Sequence, residues 1–184
     1  MFKEKKQRLF FALSPDRSSE DFQRLARLSS QCGHFGRSVA TDNLHITLAF
    51  LGMVTDEQAA SVVAATEQLA APRAFSLKLD TLGYWKRSKV IWLAPEHPPQ
   101  ALLTLAQQIK SLAIECGLEQ ESRPYKPHIT LAKSVARRPE QLPPLGKIDF
   151  HFNHFGLYIS KPVSHNGRQG VQYIQLGKWP LGNT

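Results

Sequence analysis

The chain reads as an α+β fold, and three observations carry that reading. Its apolar pattern switches repeatedly between the two-residue period of a strand and the longer period of a helix. Few uninterrupted strand-helix-strand crossovers occur, which disfavours a doubly wound parallel sheet. One apolar pentapeptide, HITLA, appears at His45 to Ala49 and again at His128 to Ala132, 83 residues later (128 less 45). A repeat of that length should arise by chance in roughly one chain in a hundred of this size, so the two copies are expected to do one job in two halves.

Arg8 to Leu13 reads as the first strand, broken by Ser14-Pro15-Asp16. Ser18 or Ser19 caps a helix running through Phe22, Leu25, Ala26 and Leu28. Leu44 to Leu51 is the next strand. Thr55 stands three residues before Gln58, ahead of an Ala-rich stretch to about Ala70, the pattern of a capping box opening a second helix. Ala71-Pro72 ends it.

Phe75 to Leu82 and Val90 to Leu93 read as two strands joined through Gly83-Tyr84-Trp85-Lys86-Arg87-Ser88. A third helix spans about Gln100 to Cys116 and stops at Gly117. His128 to Ala132 is again a strand, with Pro127 limiting its backward extension. Pro139, Pro143 and Pro144 mark a loop. Phe150 to Ser160 and Val171 to Leu176 close the chain as two strands, with Asn166-Gly167 as a turn signal.

The 184 residues, 42% hydrophobic and 21% charged, suit one compact unit and exclude a disordered or fibrous chain. A net charge of +8 favours polyanionic partners. The opening apolar run, Leu9 to Leu13, is too short for a signal-peptide core, and nothing later approaches a membrane span. Cys32 and Cys116 form no C-x-x-C unit, so neither a disulfide framework nor a cysteine zinc site is indicated. A reducing cytoplasm is the expected location. Walker, dinucleotide, G-x-S-x-G and H-E-x-x-H motifs are absent from the sequence.

In a strand, alternate side chains share a face. His45, Thr47 and Ala49 should therefore point one way and Ile46, Leu48 and Phe50 the other, with His128, Thr130 and Ala132 repeating the first set. Two imidazoles facing one cleft can serve as general base and general acid, since one can be neutral while the other is protonated. Attack at a phosphodiester needs that pair, and hydroxyls such as those of Thr47 and Thr130 suit the growing charge on phosphoryl oxygens.

The paired motifs, NLHITLAFLG and RPYKPHITLAK, together with RLFFAL, the W-K-R-S-K-V-I-W-L segment and the terminal hairpin, resemble the 2H phosphoesterases. Within them the chain is similar to the bacterial RNA 2',3'-cyclic phosphodiesterases, also called 2'-5' RNA ligases. The resemblance implies a single domain over 1–184 with two pseudo-symmetric lobes, each an antiparallel sheet flanked by helices and bearing one H-x-T-x strand, around a central active-site cleft.

It also implies hydrolysis of a terminal 2',3'-cyclic phosphate to a 2'-phosphomonoester, with reverse 2'-5' ligation available to the same site. By motif position His45 is the proton donor, His128 the proton acceptor, and Thr47 and Thr130 hold the phosphate. Lys133 departs from the Arg that many family members carry there, which keeps the charge but loses the bidentate fork. Substrate contacts are further expected from Arg123, Lys126, Lys133 and Trp85, whereas Phe10 reads as core.

His151 and His154 lie three apart, on opposite faces of a strand, and no metal or other cofactor is expected. The expected partners are RNA ends bearing a 2',3'-cyclic phosphate, tRNA fragments among them, with no membrane and a monomeric enzyme. Two rival readings remain: a phosphodiesterase for a small cyclic nucleotide or 2'-5' oligonucleotide, and a non-catalytic RNA-end-binding module.

Overall fold

Two strands that begin side by side and run in opposite directions organise the computed structural model, which describes residues 6–165 and 168–182. They are β3 (Ile46–Thr55) and β7 (Ile129–Lys133), the strands that follow the two histidines. Their only ladder pair is Ile46 with Ile129, at the very start of each. Because the pairing is antiparallel, each strand then leaves the junction for its own half of the sheet.

On one side β3 pairs with β1 (Lys6–Leu13), and β1 continues to β9 (His154–His165) and β10 (Arg168–Pro180). On the other, β7 pairs with β6 (Val90–Ala94), β6 with β5 (Thr81–Trp85), and the short β2 (Arg37–Ser38) joins β7. The result is an eight-stranded antiparallel sheet made of two lobes meeting at one ladder pair.

The helices cross between lobes. Helix α1 (Glu20–Cys32) follows β1 yet packs on β7, and α3 (Gln100–Glu115) follows β6 yet packs on β3. Ser29 on α1 is buried and donates its hydroxyl to the Leu131 carbonyl of β7 at 2.9 Å. Leu25 and Leu28 of α1, and Leu102, Leu105 and Ile109 of α3, are buried in a core shared with both lobes. Each lobe is thus locked by a helix belonging to the other.

Local chemistry explains the element starts. Ser19 caps α1 by accepting from the Phe22 amide at 3.1 Å. Thr55 and Gln58 form the reciprocal capping box of α2 (Asp56–Glu67), which ends three residues short of the expected Ala70. Gly117, at φ 76°, closes α3 in the left-handed region.

The structure revises several expected boundaries. Phe75 to Leu82 is not one strand: β4 (Phe75–Lys78) leaves the main sheet to pair with β8 (Asp149–Phe152). The change of partner is fixed where the Asp80 carboxylate accepts the Glu96 amide at 2.8 Å, and β5 then begins at Thr81. Gly83, Tyr84 and Trp85 belong to β5, so the connection to β6 is only four residues, 86–89.

Phe150 to Ser160 is likewise two strands, divided at Asn153, whose carbonyl accepts the Leu181 amide at 2.8 Å. His151 and His154 therefore stand on separate strands. The last strand runs from Arg168 to Pro180, well beyond Val171 to Leu176. The expected turn at Asn166-Gly167 lies outside the described residues.

Both motif strands break the expected alternation. Phe11 pairs with Ala49 but Ala12 pairs with Thr47, leaving Leu48 as a bulge. Ile91 pairs with Ala132 but Trp92 with Thr130, leaving Leu131 as the matching bulge. Consequently Ala49 and Ala132 are turned into the core, not toward the cleft as strict alternation requires, and the next residues, Phe50 and Lys133, emerge on the outer face. A second bulge at Leu51, before Gly52 at φ 73°, turns β3 again. Outward side chains on β3 therefore recur every third residue: Thr47, Phe50, Met53.

Candidate active site

The antiparallel pair of Ile46 with Ile129 brings the residues that flank each isoleucine, His45 and Thr47 on one strand and His128 and Thr130 on the other, to the same junction. A local two-fold axis between the isoleucines relates the motifs, so the two His-x-Thr pairs converge on one patch.

Each imidazole is held by the same device. The Nδ1–H of His45 donates to the Asn43 carbonyl at 2.6 Å, and that of His128 to the Lys126 carbonyl at 2.7 Å. In both, the acceptor lies two residues upstream, which leaves Nε2 as the atom that gains and loses a proton. The Thr47 hydroxyl donates to His45 Nε2 at 2.9 Å.

The acceptor carbonyls are anchored in turn. Asn43 donates its side-chain amide to the Val171 carbonyl at 2.7 Å, and the Tyr173 amide donates to Asn43 Oδ1 at 3.4 Å, tying the His45 loop to β10. Next to Lys126, the Tyr125 hydroxyl donates to the Thr47 carbonyl at 2.9 Å. That bond links the loop ahead of the second histidine to the first motif strand. Burial keeps the Tyr125 phenol protonated by pushing its pKa upward.

Aromatic rings surround both histidines. Phe10 and Tyr173 each lie 5.1 Å from the His45 ring, Tyr173 edge-on. Trp85 stands edge-on to His128 at 4.6 Å and packs on Trp92 at 5.0 Å. Phe10 is buried, as expected, but in a separate cluster with Ala12, Tyr158 and Tyr173 on the His45 face, not in the main core. Gly83 is required by close approach: a Cβ there would sit 2.3 Å from the Trp92 ring.

Burial is the main force lowering the His45 pKa, to about 4; the Asn43 carbonyl opposes it, and the charges of Lys133 and His128 add to the lowering. His128 is also pushed down by burial against the support of the Lys126 carbonyl. Lys133 is lowered by burial, then by Arg37 and Arg8. Among the described residues none of Arg8, Arg37 and Lys133 has a carboxylate partner within ion-pair distance. Among the described residues the cleft therefore gathers positive charge without a carboxylate partner beside two histidines whose pKa values are lowered, a setting that suits an anion.

His45, Thr47, His128 and Thr130 are thus brought to one patch, with Lys133 and Trp85 at its edges. Lys126 is exposed and contributes its carbonyl. Arg123 is exposed and its guanidinium is occupied by Glu121 at 2.8 Å. Sequence reasoning passed over Arg8, Arg37, Asn43, Tyr125 and Tyr173. Tyr125 and Asn43 stood inside the quoted motif segments, whereas Arg37 and Tyr173 reach the cleft only through strand pairing and carried no local signal.

A family model described as the 2'-5' RNA ligase superfamily matches residues 14–160. The chain belongs to the 2'-5' RNA ligase superfamily. It is 36% identical over 179 residues to an RNA 2',3'-cyclic phosphodiesterase of Escherichia coli, covering 95% of this chain and 97% of that one. A protein of the same description from Aeropyrum pernix is 32% identical over 133 residues, 68% of this chain and 73% of its own. Among solved structures, Escherichia coli LigT in apo form superposes with a TM-score of 0.83 at 36% identity, covering 97% and 99% of the two chains. LigT complexed with 3'-AMP superposes at 0.79 with 35% identity, covering 96% and 98%. The superfamily's two-lobed α+β fold is the architecture described above.

Proposed function

We propose that this protein is an RNA 2',3'-cyclic phosphodiesterase that opens a terminal cyclic phosphate to a 2'-phosphomonoester. The observation that carries the reading is the pair of imidazoles, each with Nδ1–H tied to a carbonyl, presenting titratable Nε2 atoms beside Arg8, Arg37 and Lys133, none of which has a carboxylate partner among the described residues. The names of the relatives in Escherichia coli and Aeropyrum pernix support it.

His128 Nε2 takes a proton from water as the water oxygen bonds to phosphorus, and the P–O3' bond breaks. His45 Nε2 gives its proton to the departing O3'. The products are a 3'-hydroxyl and a 2'-phosphate, and the two imidazoles exchange protons with solvent before the next turnover. The hydroxyls of Thr47 and Thr130, with Lys133, stabilise the phosphoryl oxygens; Lys126 extends the positive rim, Arg123 joins it on exchanging Glu121 for a phosphate, and Trp85 offers a ring to the nucleoside.

The lowered pKa of His45 requires that substrate charge restore its proton: an anion beside Lys133 offsets part of the repulsion that, with burial, keeps the ring neutral. Run in reverse with a 5'-hydroxyl RNA in place of water, the same groups form a 2'-5' link. The chain acts as one unit over 1–184, as a monomer in the cytoplasm, where Cys32 and Cys116 remain thiols. No helix of the described residues is long and apolar enough to cross a membrane.

The test is incubation of the purified protein, with EDTA, on a short RNA ending in a 2',3'-cyclic phosphate, with the 2'- and 3'-phosphate products resolved. Exclusive 2'-phosphate supports the reading and the leaving oxygen. Bound but unchanged RNA refutes it.

A further inference from the structure

β10 is the outermost strand of the first lobe, separated from β3 by β9 and β1, yet its outer edge meets the segment that leads into His45. Three contacts follow one another along that edge. The Arg37 guanidinium donates to the Gln169 carbonyl at 3.4 Å. The Asn43 side-chain amide donates to the Val171 carbonyl at 2.7 Å, and the Tyr173 amide donates to Asn43 Oδ1 at 3.4 Å. Residues 169, 171 and 173 share one edge because the backbone groups of alternate residues point the same way in an antiparallel strand. The half-sheet β10-β9-β1-β3 therefore curls until its far edge closes on residues 37–43.

An edge strand needs cover, and a polar side chain laid along it supplies that. The covering residue here has a second task. Asn43 is also the residue whose carbonyl accepts the His45 Nδ1–H, at 2.6 Å. Its side chain engages both a carbonyl and an amide of β10, so residue 43 is not free to turn its own carbonyl away from the ring. Tyr173, whose amide it accepts, sets its ring edge-on to the imidazole at 5.1 Å. One stretch of β10 thus fixes the hydrogen-bond acceptor and one wall of the same histidine.

The carbonyl decides which nitrogen carries the proton. The Thr47 hydroxyl lies 2.9 Å from His45 Nε2, and a hydroxyl serves as donor or as acceptor. Thr47 is satisfied by either tautomer, and the Asn43 carbonyl is what selects Nδ1–H. With that carbonyl displaced, an Nε2–H bonded to the Thr47 oxygen becomes as good an arrangement. The imidazolium also loses the acceptor of its Nδ1–H, the contact that supports its proton against burial. Both changes weaken a proton donor that works through Nε2.

The second motif is held in another way. The Lys126 carbonyl accepts from His128, and the neighbouring Tyr125 is tied to the Thr47 carbonyl. The clasp on β10 therefore serves the His45 half of the site, and His128 is an internal control for it.

We propose that Asn43 is a positioning residue for the proton donor: by clasping the edge of β10 it holds its own carbonyl on His45 Nδ1, and so makes the β9–β10 pair part of what sets the proton on that ring. The proposal rests on the phosphodiesterase reading for the step it serves, while the tautomer it predicts is read without substrate.

The experiment compares the wild type with Asn43→Ala and the isosteric Asn43→Asp. Nitrogen-15 NMR of the histidine rings at pH 8, where both lowered pKa values leave them neutral, reports the tautomer; kcat and KM are measured on adenosine 2',3'-cyclic phosphate. Aspartate keeps an acceptor for the Tyr173 amide but turns an oxygen toward the Val171 carbonyl, so the clasp breaks without loss of side-chain volume. The wild type should show Nδ1–H at His45. Both variants should show Nε2–H there, with His128 unchanged. kcat should fall about tenfold with KM little altered, because Thr130 and Lys133 lie across the junction from the clasp. The tautomer is read on folded molecules, so a partial loss of folded protein does not imitate the effect.

The wild-type tautomer in both variants, or the wild-type kcat in both, overturns the proposal. Loss of tautomer control at His128 to the same degree shows general damage to the cleft and overturns it as well. A wild type with Nδ1–H at His45 that turns over no substrate overturns the phosphodiesterase reading instead, a result distinct from the others.

Discussion

If His45 is to donate a proton near neutral pH, its pKa must rise when an anion enters the cleft, and the size of that rise follows from the structure. Within the protein the ring sits at about 4 against an ordinary 6.5, so it holds its proton about 300-fold less tightly than a free imidazole. That difference corresponds to about 3 kcal/mol. Burial is the largest cause, and the positive charges of Lys133 and His128 add to it. An anion in the cleft screens those charges and accepts a hydrogen bond from Nε2.

Binding linkage is reciprocal, so whatever the anion does to the proton, the proton does to the anion. Sulfate is the appropriate probe, since it carries two negative charges throughout the useful range, whereas a phosphomonoester changes its own charge near pH 6. The sign is fixed by the lowered pKa: sulfate binds better as pH falls, because the protonated ring is the one it stabilises. If bound sulfate restores the ring to 6.5, affinity should be about 20-fold greater at pH 5 than at pH 7.

Calorimetric titration at pH 5, 6, 7 and 8 measures this, with ring NMR of His45 following its protonation directly. His45→Gln keeps a polar side chain that cannot titrate, and should lose most of the pH dependence, leaving the smaller contribution of His128. Sulfate affinity that is flat from pH 5 to 8 in the wild type, or equally pH-dependent in the variant, would refute the reasoning. The same lowered pKa predicts that the ligand-free protein loses up to about 3 kcal/mol of stability between pH 6.5 and 4, where the unfolded chain binds a proton the folded ring refuses.

Three further outcomes follow from single contacts. Tyr125→Phe removes the bond to the Thr47 carbonyl and should cost about 1 kcal/mol in urea unfolding; it should also lower kcat several-fold, because that bond ties the His128 loop to the first motif. Gly83→Ala should lower both stability and kcat, since its Cβ displaces the Trp92 ring on which Trp85 and then His128 rest; a variant with wild-type kcat would show that this aromatic support is dispensable. Thr55→Ala should cost about 1 kcal/mol through loss of the capping box, and kcat/KM should not change, because α2 begins at the far end of β3 from the cleft.

What the sequence disclosed depended on how locally each feature is encoded. The caps at Ser19 and Thr55 need only neighbours in the chain, and both are where the pattern put them. His45 and His128 were legible because the repeat itself marks them. The division of Phe75 to Leu82 between two sheets was not, since the switch depends on Asp80 meeting the Glu96 amide from a later segment. Arg8, Arg37 and Tyr173 reach the cleft only through pairings with β3, β7 and β9, and no spacing along the chain records those partners. Phe10 was read as core on its apolar neighbours, and it is buried, but on the face that chemistry uses.

The bulges explain why the alternation rule failed at the positions that matter most. Strict alternation would have pointed Ala49 and Ala132 at the cleft and buried both Phe50 and Lys133. A buried lysine there would need a partner or lose its charge. One extra residue in each strand reverses this: the alanines enter the core, and the two residues able to contact a ligand are turned outward. The identical HITLA segments thus encode more than a histidine and a threonine. They encode a strand start, a junction isoleucine and a bulge, and the sixth residue, phenylalanine in one copy and lysine in the other, is the outward-facing position at which the two copies first differ.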